Sequence, residues 1–206
     1  MSSLLYNKPE CPFCWKSRLV AAFSNIEIDL VDIDTKNKPD YFLALNPAGT
    51  VPVLDDSGTI VCGSDEIIRY WSTQYKGFVE LDLDSSEVTQ WHHFANQVLG
   101  DGTKQWVFQH RDRSEETVDR MLMAQCKSNW EQCLAYIETQ LRPQEWLLGS
   151  HPSLADCAVF PRVALGLRYG LPGLDDYPKL KYWYQRIEES EVGMRASAWG
   201  KAFTNQ

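Results

Sequence analysis

The sequence predicts a mixed α/β domain followed by an all-helical domain, and three observations support this architecture. Strand and helix patterns alternate from residue 3 to about 75, in the order βαβαββα. Strand patterns disappear from Ser85 onward, where only helical patterns follow. The chain of 206 residues is long enough for two small domains, and 44% of it is hydrophobic, which is ample for a packed core. We therefore predict one domain at 1–76 and a second at 85–206.

The first domain is predicted to contain four strands and three helices. The strand patterns are apolar runs or apolar–polar alternation, and the last two are separated by the turn residues Asp55-Asp56-Ser57-Gly58. The predicted strands are 3–6, 26–33, 51–54 and 59–62. The helix patterns place apolar residues at helical spacing, and the second helix ends at Asn46-Pro47. The predicted helices are 14–23, 39–45 and 64–75, and residues 77–84 are predicted to form the linker.

The second domain is predicted to contain helices at about 86–108, 115–141, 153–168 and 178–189. The third of these begins with Ser153 and carries Asp156 three positions later. A serine at the N-cap with an acidic residue at the third helical position is typical of a capping box. We therefore expect these two side chains to define where that helix begins.

Charge and composition argue against several classes of protein. Lys and Arg number 20 against 28 Asp and Glu, and the net charge of −8 disfavours binding to nucleic acid. No apolar run reaches the roughly 20 residues of a membrane helix, and the first residues lack the apolar core of a secretion signal. The six cysteines do not form a disulfide framework, so we expect a reducing, cytoplasmic setting. Four are expected to be buried hydrophobic residues, namely Cys62, Cys126, Cys133 and Cys157.

The pattern Cys11-Pro12-Phe13-Cys14 lies between the first strand and the first helix. Free amides and the positive dipole end at a helix N-terminus stabilise a thiolate. Proline is tolerated at the first helical position, because that N–H has no partner within the helix. Cys11, at the mouth of the helix, is the predicted nucleophile, and Cys14 is predicted to be less exposed. Cys14 either resolves a mixed disulfide on Cys11 or belongs to the core.

Two other interpretations of the cysteine pair stay open from the residues alone. Zinc binding would require more ligands, but the chain has no second cysteine pair, and the adjacent His92 and His93 would point apart on a helix. A purely structural pair is the other interpretation. The strand–CxxC–helix context favours a redox or thiol-transfer role over both, and no metal is expected.

A second group of residues is suited to an anionic or peptide-like ligand. Pro52 at the start of a predicted strand suits a cis Val51–Pro52 bond, which would present the Val51 backbone to an extended peptide. An ordinary edge-strand proline fits the pattern equally well. The amides and the Ser64 hydroxyl at the Gly63-Ser64 helix start suit a carboxylate, although Ser64 is also a normal N-cap residue. Lys38 offers a positive charge, although a lone lysine is more commonly a solvated surface residue.

Together these motifs resemble the glutathione transferase superfamily over nearly the whole chain. The first half is similar to its thioredoxin-like domain and the second half to its helical domain. The most specific matches are Cys11-Pro12-Phe13, the run from Asn46-Pro47 to Leu54, the Ser64 helix start and Ser153-Leu154-Ala155-Asp156. The segment Asn37-Lys38-Pro39-Asp40-Tyr41-Phe42 is similar to the omega class, which has cysteine at the active position. Cys14 is instead similar to the second cysteine of glutaredoxins.

The resemblance implies a glutathione site in the first domain, with glutathione as co-substrate. It implies that Cys11 faces the glutathione sulfur and that the Val51 backbone pairs with the cysteinyl part of the tripeptide. It also implies that Ser64 holds the γ-glutamyl carboxylate, that Lys38 approaches the glycyl end, and that Ser153 and Asp156 are structural. The full set of implied glutathione-binding residues is Phe13, Lys38, Val51, Pro52, Ser64 and Asp65.

Two positions depart from the family pattern. Gly63 stands where the family usually has Glu or Gln before the carboxylate-binding serine, and whether Asp65 replaces that contact stays open. Tyr6 lies near the place where Tyr-type members keep their catalytic hydroxyl. We prefer Cys11 as the reactive group, because Cys11 begins the helix and Tyr6 is predicted to face the core.

The predicted function is glutathione-dependent thiol transfer, namely deglutathionylation or reduction of a disulfide or of a dehydroascorbate-type acceptor. Two alternatives stay open, conjugation of glutathione to small electrophiles and a non-catalytic binding or regulatory role on the same fold. The acceptor, a small molecule or a protein thiol, is expected to bind between the domains. The resemblance also implies a homodimer. Candidate acceptor-site residues, each more commonly part of a core, are Trp91, Phe94, Trp106 and Phe108.

Overall fold

The computed structural model describes residues 3–75, 83–142 and 145–197. These residues belong to two compact units, one drawn from Met1–Glu80 and Glu189–Gln206 and the other from Leu81–Glu188. The end of the described chain therefore packs with its beginning. The predicted domain boundaries stay predictions, and most of the predicted linker lies outside the described residues.

The first unit is built on a four-stranded sheet with the strand order β2-β1-β3-β4. The strands are β1 (Ser3–Asn7), β2 (Ile28–Asp32), β3 (Val53–Asp56) and β4 (Thr59–Cys62). β1 pairs in parallel with β2 and antiparallel with β3, and β3 pairs antiparallel with β4. The sheet is therefore mixed, with β2 and β4 at its edges.

Helices connect and follow these strands. They are α1 (Pro12–Phe23), α2 (Asp40–Leu45), α3 (Ser64–Gln74), α4 (Ser86–His93), α5 (Leu99–Asp112), α6 (Arg120–Gln140), α7 (Leu154–Arg168), α8 (Pro178–Glu188) and α9 (Glu191–Ala196). A π-helical turn, Phe94–Val98, joins α4 to α5. The predicted βαβαββα order of the first unit and the helical character of the second are both confirmed.

Several predicted boundaries are wrong for local reasons. β3 begins at Val53 instead of residue 51, because Pro52 has no N–H to give to the ladder. β3 then extends to Asp56, through residues that the sequence predicts as a turn. α6 begins at Arg120 instead of residue 115, because the Asp119 side chain caps the helix there by accepting from the Leu122 N–H at 3.0 Å.

Two groups of buried residues organise the first unit. Tyr6, Ile33, Phe42 and Val53 form one apolar cluster, in which α2 packs against the sheet. The second is α1, which is buried from Cys14 to Ala22 and packs against α3 and α9. Because α1 is buried on all sides, its charged residues Lys16 and Arg18 must find polar partners inside the protein.

The second unit is centred on α7, which is buried from Leu154 to Gly166 and packs against α4 and α5. Gly166 allows the Trp130 ring of α6 to lie against α7, since a Cβ at this glycine would approach the ring to 2.5 Å. The Trp130 Nε1–H donates to the Pro172 carbonyl at 3.0 Å. No helix in the described part of the chain is both long and apolar enough to cross a membrane.

The capping box that the sequence predicts is present at the start of α7. Asp156 Oδ2 accepts from the Ser153 N–H at 2.8 Å and from the Ser153 hydroxyl at 2.6 Å. Its Oδ1 accepts from the Leu147 N–H at 3.0 Å and from Trp183 Nε1–H at 2.7 Å. Burial raises the pKa of Asp156, and these donors act in the opposite direction. This one carboxyl therefore joins the start of α7 to α8 and to the preceding loop.

We expect Asp156→Ala to lower the free energy of unfolding by about 3 kcal/mol or more, because several buried donors lose their acceptor. Urea unfolding followed by circular dichroism measures this change. Asp175→Ala is the matched control, since Asp175 is exposed and bonds only Lys181 at 2.7 Å among the described residues, and it should leave unfolding unchanged. Equal effects of the two substitutions would contradict this assignment.

Candidate active site

Cys11 is the N-cap residue of α1, and its side chain does not cap the helix itself. Its N–H donates to the Lys8 carbonyl at 3.0 Å, and its carbonyl accepts from the Trp15 N–H at 2.9 Å. Pro12 occupies the first helical turn, as the sequence predicts. The Cys11 side chain is half-buried. Its sulfur therefore lies at the positive end of the α1 dipole while remaining accessible.

Cys14 lies one turn further into α1 and is completely buried. Burial is the largest cause that raises the pKa of the Cys14 thiol well above its usual range, and a hydrogen bond with Cys11 is the second. Cys14 therefore keeps its proton near neutral pH. Both residues are free thiols. Within the described ranges, no three His, Cys, Asp or Glu residues are grouped so as to hold a metal ion.

A loop between α2 and β3 lies beside the Cys11 sulfur. The Val51–Pro52 bond is cis, and the Val51 carbonyl accepts a hydrogen bond from the Cys11 thiol at 3.9 Å. Asn46 is buried and holds the loop by donating from Nδ2 to the Thr50 carbonyl at 2.8 Å. The Val51 N–H has no acceptor among the described residues. The backbone at Val51 is therefore free to pair with an added extended chain.

Lys38 lies across the same loop. Gly49 has a φ of +63°, and a Cβ there would approach Lys38 Cδ to 2.9 Å and Nζ to 3.0 Å. The half-buried Lys38 side chain thus rests on a glycine that leaves room for it. Its ammonium forms no hydrogen bond or ion pair with any residue in the described ranges, so its charge is available to an anion.

The N-cap of α3 lies one residue earlier than Ser64, the N-cap that the sequence suggests. Gly63, with a φ of +92°, is the N-cap, and Ser64 is the first helical residue. Ser64 is therefore not the cap, and its hydroxyl bonds no side chain or backbone group of the described chain. The Gly63 N–H donates to the Pro52 carbonyl at 3.0 Å, which ties this helix start to the Val51–Pro52 loop.

Asp65 accepts from Lys16 Nζ at 2.6 Å. The Lys16 side chain is only 3% exposed, whereas that of Asp65 is 57% exposed. The buried Lys16 of α1 therefore reaches the start of α3 and binds the Asp65 carboxylate, which is exposed to solvent. Phe13, in the first turn of α1, is exposed. The predicted site residues thus cluster where α1, the Val51–Pro52 loop and α3 begin.

The burial of the tyrosine and the other cysteines shows which of them lie in the core. Tyr6 is buried and packs on Phe42, with ring centroids 5.7 Å apart, and burial raises its pKa. It therefore faces the core, as predicted. Cys126, Cys133 and Cys157 are buried, also as predicted. The prediction for Cys62 is wrong, because its side chain is exposed at the end of the edge strand β4.

The four aromatic residues proposed for the acceptor differ in accessibility within the second unit. Trp91 is buried, and Phe94 and Trp106 are partly buried. Trp106 donates from Nε1 to the Tyr169 carbonyl at 2.7 Å. Phe108 is exposed, with Lys104 Nζ at 5.8 Å and Arg111 Cζ at 5.0 Å from its ring centroid. An acceptor role for any of them stays a prediction.

Comparison with known proteins identifies the family. Residues 5–78 match the model of the glutathione S-transferase N-terminal domain, and residues 107–191 match that of the C-terminal domain. Glutathione S-transferase GstB of Escherichia coli (strain K12) is 32% identical over 155 residues, which cover 72% of this chain and 73% of GstB. The chain belongs to the glutathione transferase superfamily.

Two solved structures share the fold. A glutathione S-transferase from Rhodospirillum rubrum F11 has a TM-score of 0.84 at 23% identity, covering 94% of this chain and 91% of that one. A glutathione S-transferase from Methylobacillus flagellatus KT, solved with GSH bound, has a TM-score of 0.78 at 25% identity, covering 95% and 99%. The predicted fold class is confirmed, and the similarity to the omega class stays a prediction.

We expect iodoacetamide to modify two cysteines of the folded protein, Cys11 and Cys62, because only these two thiols are accessible. Mass spectrometry of the digested protein after brief treatment at neutral pH measures the modification. In guanidinium chloride all six cysteines should react, which controls for peptide detection. Modification of Cys14 as fast as that of Cys11 in the folded protein would contradict the described burial.

Proposed function

We propose that this protein is a glutathione-dependent thiol transferase with Cys11 as its nucleophile. The observation that carries the proposal is an accessible thiol at a helix N-terminus with a second, buried thiol one helical turn below it. The helix start stabilises negative charge on the Cys11 sulfur. A Cys11 thiolate is therefore favoured, and the thiolate is the reactive form.

The surrounding groups match the parts of glutathione. The free Val51 N–H and the adjacent carbonyl suit the extended backbone of its cysteinyl residue. The Ser64 hydroxyl and the first amides of α3 suit the γ-glutamyl carboxylate, and the half-exposed Asp65 suits the neighbouring ammonium. The Lys38 ammonium suits the glycyl carboxylate. Phe13 and Pro52 would line the approach to Cys11.

The reaction begins when the Cys11 thiolate attacks the glutathionyl sulfur of a mixed disulfide between a substrate thiol and glutathione. A Cys11–glutathione disulfide forms, and the substrate leaves as a thiolate that takes up a proton. A second glutathione thiolate then attacks the glutathionyl sulfur. This step releases oxidised glutathione and restores the Cys11 thiolate. The net reaction consumes one free glutathione and converts the mixed disulfide into the free substrate thiol and oxidised glutathione.

Cys14 offers a second way to release glutathione, by attacking Cys11 and forming an internal disulfide. Burial is the main cause that raises the Cys14 pKa. A thiol held in its protonated form attacks slowly. We therefore propose that a second glutathione, and not Cys14, completes the main cycle.

Cys11→Ser should reduce deglutathionylation to the uncatalysed rate, because no other accessible thiol lies at the helix start. Cys14→Ser should retain activity within about threefold of wild type, since the main cycle needs one cysteine. A coupled assay of glutathione oxidation on a glutathionylated peptide measures both. Cys62→Ser is the matched control, because it removes the other exposed thiol. Full activity of Cys11→Ser would eliminate the mechanism.

Lys38→Met and Ser64→Ala should each raise the KM for glutathione about 10- to 100-fold with little change in kcat, as expected when one hydrogen bond to a charged group is lost. Methionine keeps an unbranched stem to lie across Gly49. Lys36→Met, on the same segment but exposed, is the control and should not alter KM. Unchanged KM values in both test variants would place glutathione elsewhere.

Conjugation of glutathione to electrophiles is the second candidate function, favoured by the relatives named glutathione S-transferase. In conjugation the reacting thiolate belongs to glutathione, so Cys11 would not form a covalent intermediate. Assaying a chlorodinitrobenzene substrate and a glutathionylated peptide with the same preparation separates the two functions. Glutathione binding with neither activity would instead indicate the non-catalytic role.

The expected setting follows from the same chemistry. The six cysteines are all free thiols, which fits a reducing compartment such as the cytoplasm. A cytoplasmic location is therefore part of the proposal. A homodimer, which the family resemblance implies, and a small-molecule or protein-thiol acceptor are also part of it.

A further inference from the structure

Arg18 is a buried cation on the same helix face as the two cysteines. Its side chain is 2% exposed, and its spacing of four residues from Cys14 and seven from Cys11 places all three on one face of α1. The guanidinium extends back towards the helix start. Its Nη2–H donates to the Pro9 carbonyl at 3.2 Å, and its Nη1–H donates to Asn7 Oδ1.

Arg18 has no direct anionic partner among the described residues. Besides Pro9 and Asn7, it donates from Nε to the Ala196 carbonyl of α9 at 2.7 Å. All three acceptors are neutral, and Arg18 forms no ion pair with a carboxylate in the described part of the chain. The nearby Asp32 accepts from Asn7 Nδ2 at 2.6 Å. Asp32 acts on Arg18 only through Asn7 and at longer range. A buried cation without a direct ion pair is costly, so a further negative charge near the guanidinium would stabilise the protein.

The two thiols are the groups that could provide this negative charge. Burial lowers the pKa of Arg18 to about 10, and interactions with Cys14, Cys11 and Asp32 act in the opposite direction. Arg18 likewise acts to lower the pKa of Cys14, but burial and the bond to Cys11 outweigh it. Cys14 therefore keeps its proton, so Cys11 is the thiol on this face of α1 that can add negative charge to that of Asp32.

We propose that Arg18 is the buried counter-charge that keeps the Cys11 sulfur ionised, and that it acts from beneath the helix start without touching substrate. Arg18 is thus a positioning residue for the thiol-transfer reaction. This inference rests on the proposed function, because it presumes that the Cys11 thiolate is the reactive group.

Lys38 is the other unpaired cation of the site, and its ammonium lies against Gly49 on the far side of the Val51–Pro52 loop. The remaining charged groups near Cys11 are already engaged or act against ionisation. Lys16 binds Asp65 of α3 at 2.6 Å, and Lys8 donates to Thr35 Oγ1 at 3.0 Å. Arg195 of α9 binds Glu27 at 2.6 Å. Glu10, adjacent in the chain, is acidic and disfavours a thiolate. Asp32, from β2, acts in the same direction. Arg18 is therefore the buried cation that lies on the same face of α1 as the Cys11 sulfur.

The test is the pH profile of Cys11 alkylation by iodoacetamide, measured on the full chain by mass spectrometry. Arg18→Met should raise the midpoint by about one unit or more, so that the rate at pH 6 falls about tenfold while the plateau at high pH is unchanged. Arg18→Lys should restore most of the wild-type profile, because it keeps the charge. Arg195→Met, which removes another arginine of the same unit, should leave the profile unchanged.

A measurement on the wild-type protein covers the case in which Arg18→Met does not fold. The NMR signal of the Arg18 Nε–H should shift with the same midpoint as Cys11 alkylation, and this shift should be absent in Cys11→Ser. Two results would overturn the role of Arg18 and leave the proposed function intact. One is a lowered wild-type alkylation midpoint that Arg18→Met does not change, and the other is an Arg18 Nε–H signal that does not shift when Cys11 ionises. An ordinary wild-type midpoint near 8.5 would overturn the proposed function as well.

Discussion

The first turn of α1 is the constraint on which the rest of the site depends. The bond from the Cys11 N–H to the Lys8 carbonyl brings the chain from the end of β1 into the helix within a few residues. This turn places the Cys11 sulfur at the helix dipole and Cys14 one turn below it. It also places the sulfur 3.9 Å from the Val51 carbonyl. The nucleophile and the backbone beside it are thus fixed by one local geometry.

The buried charges of α1 extend this geometry to the rest of the unit. Lys16 connects the helix to the start of α3 through Asp65, and Arg18 connects it to the loop before Cys11 and to α9. A helix buried on all sides would normally carry only apolar residues. In α1 the buried polar residues join the helix to its neighbours, and under the proposed role of Arg18 a change to that residue would alter stability and reactivity together.

The sequence predicts those features of the structure that depend on residues close together in the chain. The Cys11-Pro12 helix start and the Ser153–Asp156 capping box each depend on neighbouring residues, and both are present. The sequence left the Val51–Pro52 bond open between a cis bond and an ordinary edge-strand proline, and the bond is cis. Lys16 and Arg18 were missed because their partners lie 49 and 178 residues away. Cys62 was misjudged because a short apolar strand does not reveal whether it is at the edge of a sheet. The six-residue α9 is too short to show a period.

The position of α9 has a consequence for how the protein is made. Synthesis on the ribosome releases β1 and α1 long before the residues that follow Glu189, and domains tend to fold as they emerge. The first unit is not contiguous along the chain, since it includes both ends. Until α9 emerges, the Arg18 guanidinium lacks its Ala196 acceptor and one side of α1 stays uncovered. The nascent chain therefore completes its thiol-bearing unit only after the helical unit has been translated.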